Sequence, residues 1–443
     1  MVKNHDNVRV RIAPSPTGRA HIANMRAALF NYVFAKQHNG TFILRLEDTD
    51  RSRSTEESAA DIADQLTWLG LKCDEGPFRQ TDRMELYKTR AEELIKKGLA
   101  YVKDGATYFK VDPKGPDIVF TDLVKGEVRF QRKEVPDFVI LRSDGFPIYH
   151  FSVVVDDIDM NISHVLRGED HLTNTAKHIL LFEAFGAPLP EFGHFPIILG
   201  PDGGKLSKRH GAVSVHEYRA QGYLHEAIVN FMALLGWSPS RGQARGEDEI
   251  VDVKRMMQIF RLDAVSHHGA IFDTAKLDFL NGHYIRQMKL GELAERIGEW
   301  AKYAGKEVPK KDEHLLNILA TVQERLKRLD EFPELTKFYF AEPTYKADLL
   351  VFKKSDPERT KKGLEEALKA LQSLKSWSRD EIQSTLEAVV AANKLGNGDV
   401  FWPVRVAATG LEASPPPVDV LLVLGRDKAL ERIKKAIALL ANQ

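Results

Sequence analysis

The chain has 443 residues, of which 63 are basic and 63 acidic, and 43% are hydrophobic. This length exceeds what one ordinary core holds, so we expect about two to four domains in a globular protein. The single cysteine, Cys73, excludes an internal disulfide and a zinc site built from cysteines. The polar opening MVKNHDNV and the absence of a long apolar run predict no signal peptide, no membrane span and a cytoplasmic location.

The first predicted elements are a strand, a rigid turn and a helix. Val8, Val10 and Ile12 alternate with arginines, which is the period-two pattern of a strand. After the turn APSPTG, apolar residues from Met25 to Val33 recur at helical spacing. A helix that begins above a strand end points its first N–H groups at that end, which suits an anion.

The next predicted strand, FILRLEDTD, ends in a cluster of carboxylates. The helix RSRSTEESAADIADQLTWLG follows it, with Ser54 and Glu57 at the spacing of a capping box and Gly70 at its end. A second helix is predicted over 84–97. Three segments then favour antiparallel strands, namely TYFKV, DIVFTDLVKGEVRF and DFVILRSDGFPIYHFSVVVDD.

The segment HVLRGEDH predicts a buried strand with charges at its carboxyl end, where ligands bind in open α/β sheets. A helix over 173–185 and the loop GPDGGKLSKRHG follow this strand. From residue 214 onward helical patterns dominate, and HEYRAQGYLHEAIVNFMALLGW is the clearest. Residues 289–443 predict helices except over 395–417, which carry glycines and prolines.

Common phosphate and metal motifs do not match this chain. Leu206 follows Gly204-Lys205, so no G-x-x-x-x-G-K-[ST] is present, and neither G-x-G-x-x-G nor H-E-x-x-H occurs. Taken alone, APSPTG indicates a plain turn with His21 as a helix cap, and GGKLSKRHG indicates a mobile basic loop. Taken together, Lys205 and Lys208 favour one polyphosphate, with His21 as a further donor, because phosphoryl and nucleotidyl transfer build up negative charge on phosphate oxygens.

These two segments resemble the signatures of a known family. PSPTGRAHIAN is similar to the HIGH signature, and KLSKR to the KMSKS signature, of class I aminoacyl-tRNA synthetases. The segments RIAPSPTG, LRLEDTDRSRST, VVVDDIDM, HVLRGEDH and KLSKRHGAVSV resemble glutamyl-tRNA synthetases of the bacterial type, as does VLLVLGRDKALERIKKAI near the end. The similarity covers nearly the whole chain, with the motifs in the family's order.

The resemblance implies an α/β fold with a Rossmann-like catalytic domain, a short β-rich insert, a stem-contact domain and an all-α anticodon-binding region. The catalytic domain would comprise residues 1–102 and 141–172, on either side of an acceptor-binding insert. The insert would span 103–140, the stem-contact domain with the KLSKR loop 173–288, and the anticodon-binding region 289–443.

The family joins L-glutamate to tRNA(Glu) through glutamyl-adenylate, using ATP with Mg²⁺. The resemblance assigns His21 and Lys208 to the phosphates in the transition state, with Lys205 and Ser207 supporting the closing loop. Adenosine would meet the side chains or backbone of five residues: Ala23, Asn24, Glu169, Ile197 and Ile198. The resemblance also implies no membrane partner and a monomer, and it leaves open whether tRNA(Gln) is charged as well.

The glutamate pocket can also be argued physically, because planar guanidinium groups bind carboxylates in a bidentate way. Arg11 and Arg167 match the family's clamp for the side-chain carboxylate, with Tyr149 and Ser15 adding hydrogen bonds and Glu47 meeting the ammonium group. An alternative for Arg167 is a structural ion pair with a carboxylate of the same HVLRGEDH segment. A fixed cation at this point argues against glutamine as the substrate.

The chain departs from the family pattern at two points. Ala23 stands where the signature usually has glycine, so its methyl group would crowd the adenine. The insert is abbreviated over 103–135 and lacks the cysteines that hold zinc in some relatives, so we expect no zinc. Two rival functions remain. One is a paralogue that glutamylates a modified anticodon base of tRNA(Asp), although that enzyme lacks the helical region. The other is an inactive paralogue that only binds RNA or protein, although such proteins lose the signature lysines or histidine.

Overall fold

The computed structural model describes residues 7–211, 213–239 and 249–441. The chain forms two compact units, Met1–Arg219 with Tyr223–Asn281, and Ala220–Gly222 with Gly282–Gln443. Residues 1–6 of the polar opening MVKNHDNV lie outside the described ranges. No helix within those ranges has both the length and the apolar character that a membrane span requires.

The first unit begins with a parallel sheet whose strands follow one another in chain order. Its strands are β1 (Arg9–Ile12), β2 (Thr41–Leu46) and β3 (Glu75–Arg79), and β2 lies in the middle. The crossover helices are α1 (Ile22–Gln37) and α2 (Glu56–Trp68). The predicted strand, turn and helix at the start of the chain are therefore confirmed.

The predicted capping box of α2 is wrong by one residue. Thr55 is the N-cap, and its Oγ1 accepts the backbone N–H of Ser58 at 3.1 Å. Ser54 still belongs to the preceding turn, because its backbone N–H donates to the carbonyl of Asp50 at 2.9 Å. A threonine next to a serine leaves the first helical residue ambiguous in sequence, since either side chain can cap a helix.

The β-rich segment forms two antiparallel groups. Its elements are α3 (Met84–Lys96), β4 (Ala100–Lys103), β5 (Ala106–Phe109), β6 (Ile118–Asp122), β7 (Gly126–Phe130) and β8 (Phe138–Leu141). Strands β4, β5 and β8 make one antiparallel sheet, whereas β6 and β7 make a hairpin. Gly126, at φ +82°, provides the left-handed conformation that the hairpin turn needs.

The predicted strand over HFSVVVDD is wrong. These residues belong to helix α4 (Tyr149–Asp159), in which every residue from Phe151 to Asp157 is buried. A helix that is buried on all sides shows no polar face, so its run of valines cannot be distinguished from a buried strand by periodicity. This correction concerns the site, because a helix rather than a strand positions Tyr149, a predicted site residue.

The second sheet of the unit brings distant segments together. Its later elements are β9 (His164–Gly168), α5 (Asn174–Phe185) and β10 (Glu191–Phe195). The strand order is β7-β6-β10-β9, so the hairpin of β6 and β7 is joined to the parallel pair β9 and β10. The register pairs Phe192 of β10 with Asp122 at the end of β6. The predicted buried strand over HVLRGEDH and its helix are confirmed.

The rest of the unit is mainly helical. Its elements are β11 (Ile198–Leu199), α6 (Val215–Ala220), α7 (His225–Leu234), α8 (Val253–Ile259), β12 (Ala270–Ile271) and α9 (Thr274–Gln287), whose last turns belong to the second unit. The clearest helical pattern of the sequence is interrupted at Gly222, which turns the chain at φ +79°.

The second unit is helical throughout its described elements. These are α10 (Leu290–Ala304), α11 (Glu313–Val322), α12 (Phe332–Phe340), α13 (Pro357–Gln372), α14 (Arg379–Ala392), α15 (Asn397–Thr409), α16 (Pro417–Leu424) and α17 (Arg426–Ala441). Together with the sheets of the first unit, they confirm the α/β class with a helical C-terminal region.

The sequence predicts a non-helical stretch over 395–417. This prediction is wrong for most of the stretch, because α15 lies within it and has Pro403 inside the helix. Proline removes the donor that would bond the carbonyl of Asp399. That carbonyl lies against Gly363 of α13, where an added Cβ would be 2.0 Å from the oxygen. Close packing of two helices therefore overrides the local preference of the sequence.

Candidate active site

A cavity of about 430 Å³ opens at the carboxyl ends of β1 and β9 and over the start of α1. It brings together most of the site residues that the sequence predicts: Arg11, Ser15, His21, Ala23, Asn24, Glu47, Tyr149, Arg167, Ile197, Ile198 and Lys205. The other three, Glu169, Ser207 and Lys208, are not among its lining residues.

His21 is both a helix cap and a lining residue of the cavity. Its Nδ1 accepts the backbone N–H of Ala23 at 3.1 Å, which caps α1. Burial and the nearby Lys205 ammonium lower the pKa of His21, so the neutral ring is favoured near pH 7. With Nδ1 accepting, the ring proton is assigned to Nε2, which leaves one N–H donor for a ligand.

Arg167, at the end of β9, is a buried cation that has no carboxylate partner among the described residues. Only 7% of the residue is exposed, and among the described residues its guanidinium forms no ion pair. Its hydrogen-bond partners are neutral groups of Tyr149, His171, Thr175, His178 and His194. The alternative of a structural ion pair is excluded for the described neighbours: Glu169 pairs with Lys125, and Asp170 with Lys205. A buried guanidinium that lacks an anion is suited to receive one.

Arg11, by contrast, is held by a buried carboxylate that the sequence analysis missed. Its Nε and Nη2 donate to the two oxygens of Asp157 at 3.1 and 3.2 Å. Arg45 Nη1 donates to Oδ1 of the same carboxylate at 2.7 Å. Burial acts to raise the pKa of Asp157, but Arg11 and Arg45 outweigh it and leave that pKa lowered. The sequence signal was present, since Arg45 and Asp157 interrupt otherwise apolar runs.

Glu47 follows β2 and contacts the same network through Arg45, whose Nη2 donates to its carboxylate at 3.3 Å. Burial raises the pKa of Glu47 to about 7, although Arg45 and Arg11 act in the opposite direction. The carboxyl group is therefore poised to ionise when a cation enters the cavity.

The basic residues of the KLSKR loop are exposed, whereas its Leu206 is buried. Lys205 lies at its edge, with Nζ at 3.3 Å from the carboxylate of Asp170. Ser207 caps the short turn Lys208–His210. Lys208 is exposed, and its ammonium group makes no ion pair with any described residue. Gly200 lacks a side chain where the His210 ring approaches, since an added Cβ would lie 2.7 Å from it.

Glu169 holds the wall of the cavity rather than lining it. One carboxylate oxygen accepts the backbone N–H of Ile197 at 2.7 Å, and the other pairs with Lys125. A buried Arg26 supports the same wall through the carbonyls of Pro196 and Leu235. Sequence reasoning missed Arg26, because a charged residue inside an amphipathic helix ordinarily indicates a solvated face.

The described residues contain no group of three or more histidine, cysteine or acidic side chains that could hold a metal ion. The cavity contains a buried guanidinium, a carboxyl group whose pKa is raised to about 7 and a neutral histidine that can donate a hydrogen bond. This set fits a ligand with a carboxylate and an ammonium group beside a phosphate chain.

Comparisons with known proteins agree with this geometry. The catalytic-domain model of class I tRNA synthetases of the E and Q type matches residues 7–108 and 103–279. The chain belongs to this family. A model of an anticodon-binding domain matches residues 292–437.

Full-length relatives narrow the resemblance. A glutamate–tRNA ligase of Thermodesulfovibrio yellowstonii is 41% identical over 97% of this chain and 99% of its own length. Glutamate–tRNA ligase 2 of Thermoanaerobacter pseudethanolicus is 38% identical over 97% of this chain and 98% of its own length. The crystal structure of a glutamate tRNA ligase from Elizabethkingia meningosepticum, in complex with its amino acid, matches with a TM-score of 0.86 and 30% identity, over 98% of this chain and 99% of that one. The resemblance to glutamyl-tRNA synthetases is confirmed.

Proposed function

We propose that this enzyme attaches L-glutamate to tRNA(Glu) in two steps, through glutamyl-adenylate, with release of pyrophosphate and then AMP. The single observation that carries the proposal is Arg167, a buried guanidinium in the cavity that no described carboxylate neutralises. Support also comes from relatives of nearly the same length that are named glutamate–tRNA ligases.

The side-chain carboxylate of glutamate is proposed to bind Arg167 and Arg11, with hydrogen bonds from Tyr149 and Ser15. The Tyr149 hydroxyl already lies 3.4 Å from Arg167 Nη1, so one carboxylate can reach both groups. Glu47 is proposed to accept the ammonium group, because it is the acidic residue of the Arg11 network that lines the cavity. Charge complementarity therefore fixes both ends of the amino acid.

ATP is proposed to bind over the start of α1, with Ala23 and Asn24 along adenosine and the backbone of Ile197 and Ile198 at the base. Glu169 is proposed to meet the ribose. The α-carboxylate of glutamate then attacks the α-phosphorus, and pyrophosphate leaves. No covalent enzyme intermediate is needed, because alignment and stabilisation of charge lower the barrier.

The charge that develops on the phosphates is proposed to be met by His21, Lys205 and Lys208. The Nε2–H of His21 can donate to a phosphate while Nδ1 caps the helix. Lys205 would exchange Asp170 for phosphate, and Ser207 would hold the loop turn. Mg²⁺ would arrive with ATP and be held mainly by phosphate oxygens and water, which suits a cavity with few carboxylates.

The transfer step is proposed to take the glutamyl group to a ribose hydroxyl of the terminal adenosine of tRNA. The match over residues 292–437 favours recognition of an anticodon and disfavours the rival that modifies tRNA(Asp) without such a region. A monomeric state and a cytoplasmic location stay predictions, and the assay below decides whether tRNA(Gln) is charged as well.

Aminoacylation with labelled glutamate and, separately, labelled glutamine tests the function, with purified tRNA(Glu), tRNA(Gln) and tRNA(Asp) as acceptors. We expect glutamate on tRNA(Glu). Additional charging of tRNA(Gln) would show a non-discriminating enzyme. Transfer of glutamine, or no transfer to any acceptor, would contradict the proposal.

A further inference from the structure

Arg167 is the first member of a buried series of hydrogen-bonded side chains. The series continues through His194 to Asp122, which is distant from Arg167 in sequence. His194 of β10 has its Nε2 at 3.2 Å from Arg167 Nε and its Nδ1 at 2.5 Å from Asp122 Oδ2. The side chains of His194 and Asp122 are both completely buried. Asp122 is the last residue of β6, in the β-rich segment, and it meets β10 through the strand register with Phe192.

The hydrogen-bond geometry assigns the tautomer of His194. An arginine Nε–H can only donate, so the facing His194 Nε2 must accept. The ring proton then lies on Nδ1 and is donated to Asp122. Thr175 Oγ1, at 3.2 Å from Nε2, can donate to the same lone-pair side of the ring.

The charge states fit this assignment. Burial lowers the pKa of His194, although the hydrogen bond to Asp122 opposes it, so the ring is neutral near pH 7. Burial acts to raise the pKa of Asp122, but the hydrogen bonds from His194 and from the backbone outweigh it, and that pKa is lowered. A neutral histidine thus separates a buried carboxylate from a buried guanidinium.

We infer that Asp122 is a positioning residue for glutamate binding: acting through the tautomer of His194, it holds Arg167 in the orientation that receives the substrate carboxylate. The inference rests on the proposed role of Arg167. The carboxylate anchors the guanidinium only indirectly, at Nε, while the Nη groups donate to neutral groups of Tyr149, His171, Thr175 and His178. A direct ion pair would neutralise the guanidinium instead. The clamp is thereby oriented without being neutralised.

Asp122→Asn is the informative variant because the carboxylate is fixed on its other side. Asp122 Oδ1 accepts the backbone N–H groups of Val124, Lys125 and His194 at 2.9, 2.8 and 3.2 Å. Asparagine would keep its oxygen there and turn its amide nitrogen towards His194 Nδ1. The ring proton must then move to Nε2, where it opposes the Nε–H of Arg167. The same reversal of a histidine tautomer disables the serine-protease triad when its aspartate becomes asparagine.

For the steady-state test, we expect D122N to raise the KM for glutamate roughly 10- to 100-fold, which is the cost of one lost hydrogen bond to a charged group. The KM for ATP and the kcat at saturating glutamate should change less than about threefold, because only ground-state orientation of the clamp is lost. An unchanged KM for glutamate in a folded D122N protein would overturn the inference.

A matched pair at His194 separates positioning from structure. Glutamine places its carbonyl oxygen near the former Nε2 and can accept from Arg167, whereas asparagine reaches only the former Nδ1 position. We expect His194→Asn to raise the KM for glutamate at least about fivefold more than His194→Gln. Equal effects of the two variants would indicate a structural role alone and would overturn the inference, even if D122N failed to fold.

The tautomer itself can be read from ¹⁵N-histidine spectra, with H194Q identifying the His194 signals. We expect an Nδ1-protonated ring in the wild-type protein and an Nε2-protonated ring in D122N. The same tautomer in both proteins would overturn the inference. This readout needs no turnover, so failure of the proposed function would show separately, as absence of aminoacylation by the wild-type enzyme.

Discussion

Arg11 donates two hydrogen bonds to Asp157, and the side chains of both residues are at most 4% exposed. The same carboxylate accepts from Arg45, so one buried anion is shared by two cations. Arg11 therefore reaches the cavity with its orientation already fixed by α4. Arg167 is fixed differently, because its hydrogen-bond partners among the described residues are neutral groups and leave its charge available for a ligand.

Asp157→Asn should destabilise the folded enzyme by about 3–5 kcal/mol, because it leaves Arg11 and Arg45 buried without their shared anion. Denaturant unfolding followed by circular dichroism measures this. Asp159→Asn is a matched control on the same helix, since Asp159 is 43% exposed and pairs with Arg83. We expect Asp159→Asn to lower the free energy of unfolding by no more than about 1 kcal/mol. Equal unfolding midpoints for the wild-type protein and D157N would contradict the buried network.

Glutamate binding should weaken as the pH falls below about 7, because Glu47 has its pKa raised to about 7 by burial. The protonated carboxyl cannot pair with the substrate ammonium, so the loss appears on the acid side of this pKa. The pH profile of kcat/KM for glutamate measures it. Glu47→Gln should remove this acid limb while lowering the plateau. An acid limb that persists unchanged in E47Q would assign the titration to another group.

Lys208→Ala should lower the rate of glutamate activation roughly 100-fold, because one cation no longer meets the phosphate charge of the transition state. The KM for glutamate should change far less. Pyrophosphate exchange in the presence of tRNA measures both. Arg209→Ala is the matched control in the same turn, where Arg209 donates to Asp202 at 2.8 Å. We expect this variant to lose much less of the activation rate than K208A. An unchanged rate in K208A would remove Lys208 from the mechanism.

Gly363→Ala should destabilise the helical unit by about 1–3 kcal/mol, because its Cβ would lie 2.0 Å from the carbonyl oxygen of Asp399. Gly298→Ala on α10 is the control, since an added Cβ there would have no described heavy atom within 4 Å apart from its chain neighbours and its own helix backbone. We expect G298A to be neutral or to stabilise by up to about 1 kcal/mol. The measurement is the thermal unfolding midpoint of each variant. A lower midpoint for G363A than for G298A is expected if α13 and α15 approach closely next to Pro403, and equal midpoints would contradict that close approach.

Much of the fold was predictable where local pattern and burial agree. The alternation from Val8 to Ile12 and the charges that end HVLRGEDH place two strands whose carboxyl ends border the cavity. Helix α4 could not be predicted, because a buried helix and a buried strand share one apolar pattern. Helix α15 could not either, since packing against Gly363 outweighs a proline that locally disfavours it.

The candidate site divides in the same way. Residues inside the two signatures, such as His21 and Lys205, were predicted because the motifs themselves contain them. Asp122 and His194 were missed because only the strand register brings them behind Arg167. Neither residue stands in a recognisable motif. The roles of all the predicted site residues stay predictions, and three of these residues, Glu169, Ser207 and Lys208, do not line the cavity.

The most direct test of the account is the kcat/KM for glutamate of Arg167→Ala against the wild-type enzyme, with equal thermal stability checked beforehand. We predict a fall of roughly 30- to 5,000-fold, the equivalent of the 2–5 kcal/mol typical of truncating one partner of a buried charge pair. The KM for ATP should stay near its wild-type value. A loss of less than about threefold in folded R167A would show that another group binds the glutamate carboxylate.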